Sequence, residues 1–168
     1  VRLSCQNALA QKEYAVVHGK IENPIDGLVV RLFNPETSKS VNIKVAADGT
    51  YRDTINLDKP GFFNTFYDKF FSLYLTSGMD LEINFDAKNV TKTLVNTGKG
   101  ENENAFLRAK AKLEGELYGN DINAFFDLDQ AAFDAKINKF SADFQTQLDA
   151  KKSNLNASFV TAQHKIVA

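Results

Sequence analysis

Residues 41–57 read VNIKVAADGTYRDTINL, and apolar and polar side chains alternate through most of this stretch. Alternation with a period of two is typical of a strand with one buried face. Asp48 and Gly49 stand between the alternating runs 41–46 and 50–57, and an Asp-Gly pair in this position is a strong signal for a tight turn. The stretch therefore predicts a β-hairpin made of the two runs.

Short runs of the same kind occupy most of the first half of the chain. A first hairpin is predicted from the runs 14–21 and 28–33, because Pro24 and Gly27 between them supply the fixed and the positive φ of a turn. Further strands are predicted at 61–66, 70–75, 81–85 and 90–95. About seven or eight short strands at this spacing favour an antiparallel β-sandwich or a partly open barrel.

The composition and the spacing of apolar residues change at residues 97–100, TGKG. A first helix is predicted beyond them and is expected to end at Gly119, with Asn120 or Asp121 capping a second helix. The apolar residues that recur at helical spacing are Phe106, Leu113 and Leu117, and then Phe126, Phe133, Ile137, Phe140, Phe144 and Leu148. The C-terminal part is therefore predicted to consist of amphipathic helices.

A second break at 153–156 separates these helices from a third one, which is predicted to begin at Ser158. The whole pattern predicts an α+β fold, in which the β-sandwich precedes a helical segment. We divide the chain into a leader remnant or tail at 1–12, a β-sandwich domain at 13–97 and a helical segment at 98–168.

Composition and charge disfavour several classes of partner. The chain has 168 residues, with 20 Lys and Arg against 21 Asp and Glu, so its charge gives no reason to expect binding to nucleic acid or to an anionic membrane. No run approaches the ~20 apolar residues that a membrane-spanning helix needs. Cys5 is the only cysteine, which excludes an internal disulfide and a CxxC pair within these residues.

The first residues indicate export. Residues 7–10, NALA, are similar to a small-x-small signal-peptide cleavage site. Residues 3–5, LSC, form a poorer lipoprotein-like site, because Arg2 stands where an apolar residue is wanted. A chance Ala-Leu-Ala is the alternative. We expect a periplasmic or cell-envelope location, where a processed Cys5 is lost or lipidated rather than catalytic.

The search for a metal or phosphate site gives no complete motif. His18 and His164 are the only histidines, and their spacing does not require a metal site. Asp121, Asp127 and Asp129 lack the pattern of a calcium loop and are interpreted as a solvated helix face. Residues 98–100, GKG, lack the remainder of a phosphate loop and are interpreted as a hinge into the helix.

No nucleophile elbow is present either, because the pattern G-x-S-x-G does not occur. Dispersed carboxylates such as Asp53, Asp68 and Glu82 are available for a hydrolase or lyase, but linear spacing does not report whether they converge in a pocket. We therefore expect no catalytic residue, metal or cofactor in this chain itself.

An aromatic cluster at 62–74 is the one unusual feature of the sequence. Rings on alternate sides of a strand have different surroundings. It contains Phe62, Phe63, Phe66, Tyr67, Phe70, Phe71 and Tyr74. We select Phe62, Phe66, Phe70 and Tyr74 as a candidate binding surface for a sugar, a peptide or a neighbouring domain. The alternative is that the partner sheet and the helices cover both faces.

A series of short motifs resembles one family. The motifs are GKI at 19–21, DGTY at 48–51, GFF at 61–63, SLYL at 72–75, GMDLEI at 78–83 and TGKGEN at 97–102. They resemble the N-terminal domain that precedes the thioredoxin-like domain in exported TlpA-like thiol-disulfide oxidoreductases. The resemblance covers roughly residues 14–150. It implies an envelope protein in which a sandwich and a helical segment lead into a catalytic domain with CxxC, and it carries no redox residue to any position here.

Two functions follow as expectations. The first is a non-catalytic accessory domain of such an oxidoreductase, acting in docking or dimerisation, with a downstream thioredoxin-like domain or another protein as its partner. The second is a free-standing exported β-sandwich that binds carbohydrate or peptide through its aromatic residues.

Overall fold

The computed structural model describes residues 13–165. The strands are β1 (Tyr14–Glu22), β2 (Val29–Asn34), β3 (Lys39–Lys44), β4 (Thr50–Asn56), β5 (Gly61–Tyr67), β6 (Lys69–Leu75), β7 (Asp80–Asp86) and β8 (Val95–Lys99). The helices are α1 (Val90–Thr93), α2 (Glu101–Tyr118), α3 (Ile122–Phe126), α4 (Gln130–Lys151) and α5 (Ala157–His164). Short 3₁₀ turns lie at Ala87–Asn89 and Lys152–Asn154.

The strands form two four-stranded sheets. Sheet one has the order β4, β1, β7, β8, and sheet two has the order β3, β2, β5, β6. Neighbouring strands are antiparallel except for β1 and β7, which are parallel. The prediction of an α+β fold with a β-sandwich before a helical segment is confirmed, and the two sheets form a sandwich rather than a barrel.

The core lies between the two sheets, because each strand turns alternate side chains inward. In β7 every second residue is buried, namely Leu81, Ile83 and Phe85. The Tyr67 ring of sheet two meets the Phe85 ring of sheet one with centroids 5.4 Å apart. Burying a side chain of this kind stabilises the fold by roughly 1.5–3 kcal/mol, so the alternating residues supply much of the stability of the sandwich.

The pairing of the first four strands corrects both predicted hairpins. The run 14–21 does not pair with 28–33, because β1 lies in sheet one and β2 in sheet two. The run 41–46 does not pair with 50–57 either, since β3 pairs with β2 and β4 pairs with β1. Only Val45 and Tyr51 form an isolated bridge. Both connections therefore carry the chain from one sheet to the other.

The Asp48-Gly49 turn itself is present. The Gly49 N–H donates to the Ala46 carbonyl oxygen at 2.9 Å, and the Asp48 side chain accepts from the Thr50 N–H at 3.0 Å. The chain reverses direction here but leaves the sheet plane, and the Tyr51 hydroxyl then donates to the Ile83 carbonyl oxygen at 2.7 Å inside sheet one. The turn was predicted correctly, whereas the strands that flank it have other neighbours.

Gly49→Ala is expected to lower the free energy of unfolding by about 2–3 kcal/mol. Gly49 has a φ of 83°, and an added Cβ would lie 2.0 Å from the Ile21 carbonyl oxygen. Gly27→Ala is the matched control, because Gly27 has a φ of 71° but no atom within 4 Å of an added Cβ; its loss should be about 1 kcal/mol. Urea denaturation of both variants measures the difference, and equal losses would contradict a steric role for Gly49.

The strands predicted at 61–66 and 70–75 are present as β5 and β6, which pair as a hairpin that turns at Asp68, where φ is 58°. The predicted strand at 90–95 is wrong, because 90–93 forms α1 and the last strand is β8. The Thr93 hydroxyl donates to the Asn89 carbonyl oxygen at 2.8 Å, which favours a helical turn at this point.

The predicted division at 97 and 98 falls inside β8, and Gly100 directly precedes α2.

Asp121 and Asp129 are helix caps rather than part of a solvated helix face, whereas Asp127 is exposed at the end of α3. Asp121 accepts from the Asn123 N–H at 2.9 Å and begins α3, and Asp129 accepts from the Ala132 N–H at 2.8 Å and begins α4. Each carboxylate satisfies an N–H group that the first turn of a helix leaves unpaired. The second predicted helix is therefore two helices, while Gly119 ends α2 as predicted.

Helix α2 packs against β6 and β8, which are the edge strands of sheets two and one. Asn104 of α2 is 1% exposed, and its side chain pairs with the free edge of β6. Its Oδ1 accepts from the Tyr74 N–H at 2.9 Å, and its Nδ2 donates to the Tyr74 carbonyl oxygen at 3.0 Å and to the Gly100 carbonyl oxygen at 2.9 Å. One side chain thus takes the place of a neighbouring strand.

Candidate functional site

The four aromatic residues selected from the sequence lie on the outer face of sheet two as two cross-strand pairs. Phe62 is opposite Tyr74 and Phe66 is opposite Phe70 in the β5–β6 register. The ring centroids are 5.0 Å apart in the first pair and 4.8 Å apart in the second. The structure therefore brings each pair together but gives the two pairs different surroundings.

Helix α5 covers the first pair. The buried ring of Phe159 lies 5.8 Å from Phe62 and 5.0 Å from Tyr74, measured between centroids. Tyr74 is only 2% exposed, so its assignment to a binding surface is corrected: it is a core residue. Its hydroxyl lies 3.1 Å from the Ser158 Oγ, and burial raises the pKa of that hydroxyl.

A buried carboxylate helps to hold α5 in this position. Glu103 of α2 accepts from the Asn156 N–H at 2.7 Å, and the Asn156 side chain in turn accepts from the Ser158 N–H at 3.0 Å. These bonds satisfy the start of α5, since Asn156 is its N-cap residue. The helix that covers this pair is thereby itself anchored to α2, and it leaves Tyr74 buried and Phe62 partly buried.

In the second pair Phe70 stays open to solvent, while Phe66 is partly buried. Phe70 is 75% exposed and is the most exposed of the large apolar side chains in the described residues, while Phe33 of β2 is 39% exposed. With these rings the outer face of sheet two forms a depression of about 460 Å³. We call this surface the aromatic face; its lining residues are Arg31, Phe33, Ser40, Asn64, Phe66 and Phe70.

The aromatic face is positively charged. Arg31 lies opposite Phe66 in the β2–β5 register and opposite Asn42 in the β2–β3 register. Arg31 and Lys44 are both exposed and have the strand phase of this face, opposite to buried Leu32 and Ile43. Within the strands of sheet two, none of the residues with the outward phase is acidic, so this face favours a partner surface with negative charge.

Arg31 and Phe33 were missed as site residues, although their signal was present. Val30 and Leu32 mark the inward phase of the run 28–33, so Arg31 and Phe33 must point outward. An outward Phe near an outward Arg is unusual for a solvated strand. This pattern indicates that the candidate binding surface extends from β5 and β6 to β2.

A second depression lies on the other side of Phe70. It has a volume of about 500 Å³ and runs between β6, α1 and α2. We call it the α2 groove; its lining includes Phe71, Leu94, Leu107, Arg108, Lys110 and Glu114. Phe70 lines both depressions, so the aromatic face and the α2 groove meet at that ring.

The histidines do not form the nucleus of a metal site. His18 lies on β1, where its Nε2 is 3.0 Å from the Asp80 Oδ1 of the neighbouring strand β7, and His164 lies in the last turn of α5. Among residues 13–165 no group of three or more His, Cys, Asp or Glu side chains is placed to hold a metal ion. Cys5 and the predicted cleavage site lie outside the described residues.

The dispersed carboxylates are not gathered at one place. Asp53 and Glu82 lie on β4 and β7, which β1 separates, and Asp68 lies in the turn of the other sheet. Glu82 accepts from the Thr97 hydroxyl at 2.8 Å, and this hydrogen bond lowers the pKa of its carboxyl group.

In the described part of the chain, no helix is both long and apolar enough to cross a membrane.

Comparison with known proteins gives little. No protein-family model matches the chain, and no curated protein matches it. A solved structure from Bacteroides ovatus ATCC 8483, described as a "putative cell adhesion protein", is similar at 16% identity, with a TM-score of 0.32. The match covers 52% of this chain and 43% of that chain, and a likeness at this level carries no argument about function.

Proposed function

We propose that this chain is a non-catalytic accessory domain of an exported thiol-disulfide oxidoreductase and that it docks a partner protein through the aromatic face. The observation that carries the proposal is the exposure of Phe70, in contact with Phe66, on an otherwise well-packed sandwich. Exposed apolar patches rimmed by polar residues mark interaction sites. The partner proposed from the sequence resemblance is the thioredoxin-like domain that follows such accessory domains.

The composition of the aromatic face supports docking of a protein. Aromatic residues and Arg dominate binding energy at protein interfaces, and here Phe33, Phe66 and Arg31 surround one depression. Asn64 and Ser40 supply amide and hydroxyl groups at the same place. This arrangement suits an apolar side chain of the partner, flanked by an acidic one that pairs with Arg31.

The order of the elements also supports the partner. The resemblance implies a sandwich followed by a helical segment that leads toward a catalytic domain, and α2–α5 follow the sandwich in this order. Reading the gene beyond the codon for Ala168 is the first test. A thioredoxin-like domain with a CxxC motif is expected within about one domain length, ~100–150 residues. A stop codon close to Ala168 would overturn the oxidoreductase part of the proposal.

Phe70→Ser is expected to weaken docking at least tenfold, because a mostly exposed ring adds ~1.5–3 kcal/mol when a partner covers it. The probe is the purified CxxC domain encoded downstream, titrated into this chain by calorimetry. Phe126→Ser is the matched control, since Phe126 lies on α3 and is 65% exposed; it should leave the affinity unchanged. Equal affinities for the two variants would overturn the role of the aromatic face.

A free-standing module for carbohydrate is the second candidate, and the polar groups of Arg31, Asn64 and Ser40 favour it. The ring geometry favours it less, because the planes of Phe66 and Phe70 are tilted by 52° and do not form a flat platform for a sugar ring. A glycan array and an acidic-peptide array, each probed with the wild type and Phe70→Ser, separate the two. Glycan binding that Phe70→Ser abolishes would favour this candidate over protein docking.

A further inference from the structure

The α2 groove combines an apolar wall with a row of cations. Phe71, Leu94 and Leu107 form the apolar side, from β6, the residue after α1, and α2. Arg108, Lys110 and Lys112 add three positive charges from α2, against the single carboxylate of Glu114. Glu114 is already engaged, because one of its carboxylate oxygens is 3.3 Å from the Lys110 Nζ. The groove therefore retains positive charge at Arg108 and Lys112.

Arg108 is the unusual member of this group. Its Nη1 is shielded from solvent and has no hydrogen-bond partner within the described residues. Burial lowers the pKa of its guanidinium group, and the charge of Glu101 partly opposes that shift. An arginine stays protonated in proteins, so the fold holds a partly buried cation without a hydrogen-bonded counter-ion beside an apolar wall.

We propose that the α2 groove binds a small carboxylic acid with an apolar body. The carboxylate pairs with the part of the Arg108 guanidinium that lines the groove, because a guanidinium is a permanent cation with several N–H donors, while Nη1 itself stays shielded. The body lies against Phe71, Leu94 and Leu107. A volume of about 500 Å³ is within the usual range for sites of small ligands.

The lining favours such a monoanion over a phosphate or a bare inorganic ion. A strongly hydrated phosphate gains nothing from apolar walls, whereas an alkyl chain gains ~0.8 kcal/mol for each methylene that is buried. The α2 groove and the aromatic face share only Phe70 among their lining residues, so variants that keep Phe70 separate ligand binding from docking.

Decanoate, below its micelle concentration, is the probe, and its binding to the full chain is followed by calorimetry and by amide chemical shifts around α2. Saturable binding is expected. Acetate, which lacks the body, decanol, which lacks the charge, and inorganic phosphate should each bind at least tenfold more weakly. No binding of decanoate, or equal binding of decanol or phosphate, would overturn the proposal.

Arg108→Gln is expected to weaken decanoate binding at least tenfold. Arg52→Gln is the matched control, because Arg52 is exposed on β4 of sheet one, and it should bind as the wild type does. The melting temperature of ligand-free Arg108→Gln separates binding from structure. It should equal or exceed that of the wild type, because the unpaired cation is gone. Unchanged decanoate affinity in this variant, or a lower melting temperature together with weaker binding, would contradict a ligand-binding role for Arg108.

Discussion

Replacing Asn104 with leucine is expected to lower the free energy of unfolding by about 3–5 kcal/mol. The substitution removes the three hydrogen bonds of this buried amide and leaves the N–H and the carbonyl of Tyr74 without partners at the edge of β6. Each buried polar group left unsatisfied costs about 1–3 kcal/mol. Chemical denaturation followed by circular dichroism measures the loss.

Asn102→Ala is the control for this prediction. Asn102 lies in the same turn of α2, but its side chain is exposed and donates to the Asn154 carbonyl oxygen at 3.2 Å. Its loss should stay below about 1 kcal/mol. If Asn104→Leu were as mild as Asn102→Ala, the edge of β6 would not depend on the Asn104 amide, and water would have to satisfy the Tyr74 backbone instead.

Phe159→Ala is expected to lower the free energy of unfolding by about 3–5 kcal/mol, the usual range for a buried Phe. The Phe159 ring is fully buried and joins α5 to Phe62 and Tyr74 of sheet two and to Phe106 of α2. Without it, α5 loses its main apolar contact. Hydrogen exchange is expected to quicken first at 157–164.

The same change at Phe126 is the control, because that ring is mostly exposed. Phe126→Ala should change the stability by less than about 0.5–1 kcal/mol and leave the exchange of α5 unaltered. Normal protection of α5 in Phe159→Ala would contradict its role as the anchor. The bonds of Glu103 and Asn156 would then be sufficient to hold the helix.

Most strands could be located from the sequence, but their neighbours could not. Period-two alternation in 41–57 reports that one face of each strand is buried, and this is true for β3 and β4. It does not report which strand supplies the hydrogen bonds. The Asp48-Gly49 turn favours a hairpin locally, yet the pairing of β4 with β1 along the whole strand decides the outcome.

The aromatic face was partly predictable for a related reason. Strand phase correctly places Phe62, Phe66, Phe70 and Tyr74 on one side of sheet two. It cannot show that α5, more than eighty residues further along the chain, covers Phe62 and Tyr74 and leaves Phe70 exposed. The α2 groove was not predictable at all, since Arg108 looks like any other charged helix residue until Leu94 and Phe71 are placed beside it.

The parallel pairing of β1 and β7 has a consequence for how the chain folds. Val16 lies beside Asp80 and Glu22 lies beside Asp86, so the first strand reaches its final place in the middle of sheet one only after the seventh strand exists. Closing so long a loop is slow, and folds dominated by such distant pairings form in milliseconds to seconds. A ribosome-bound chain that ends near Leu57 has β1 and β4 but exposes the other edge of β1. We therefore expect the sandwich to fold in one late event, and the unfinished edge to be the point at which a stalled chain aggregates.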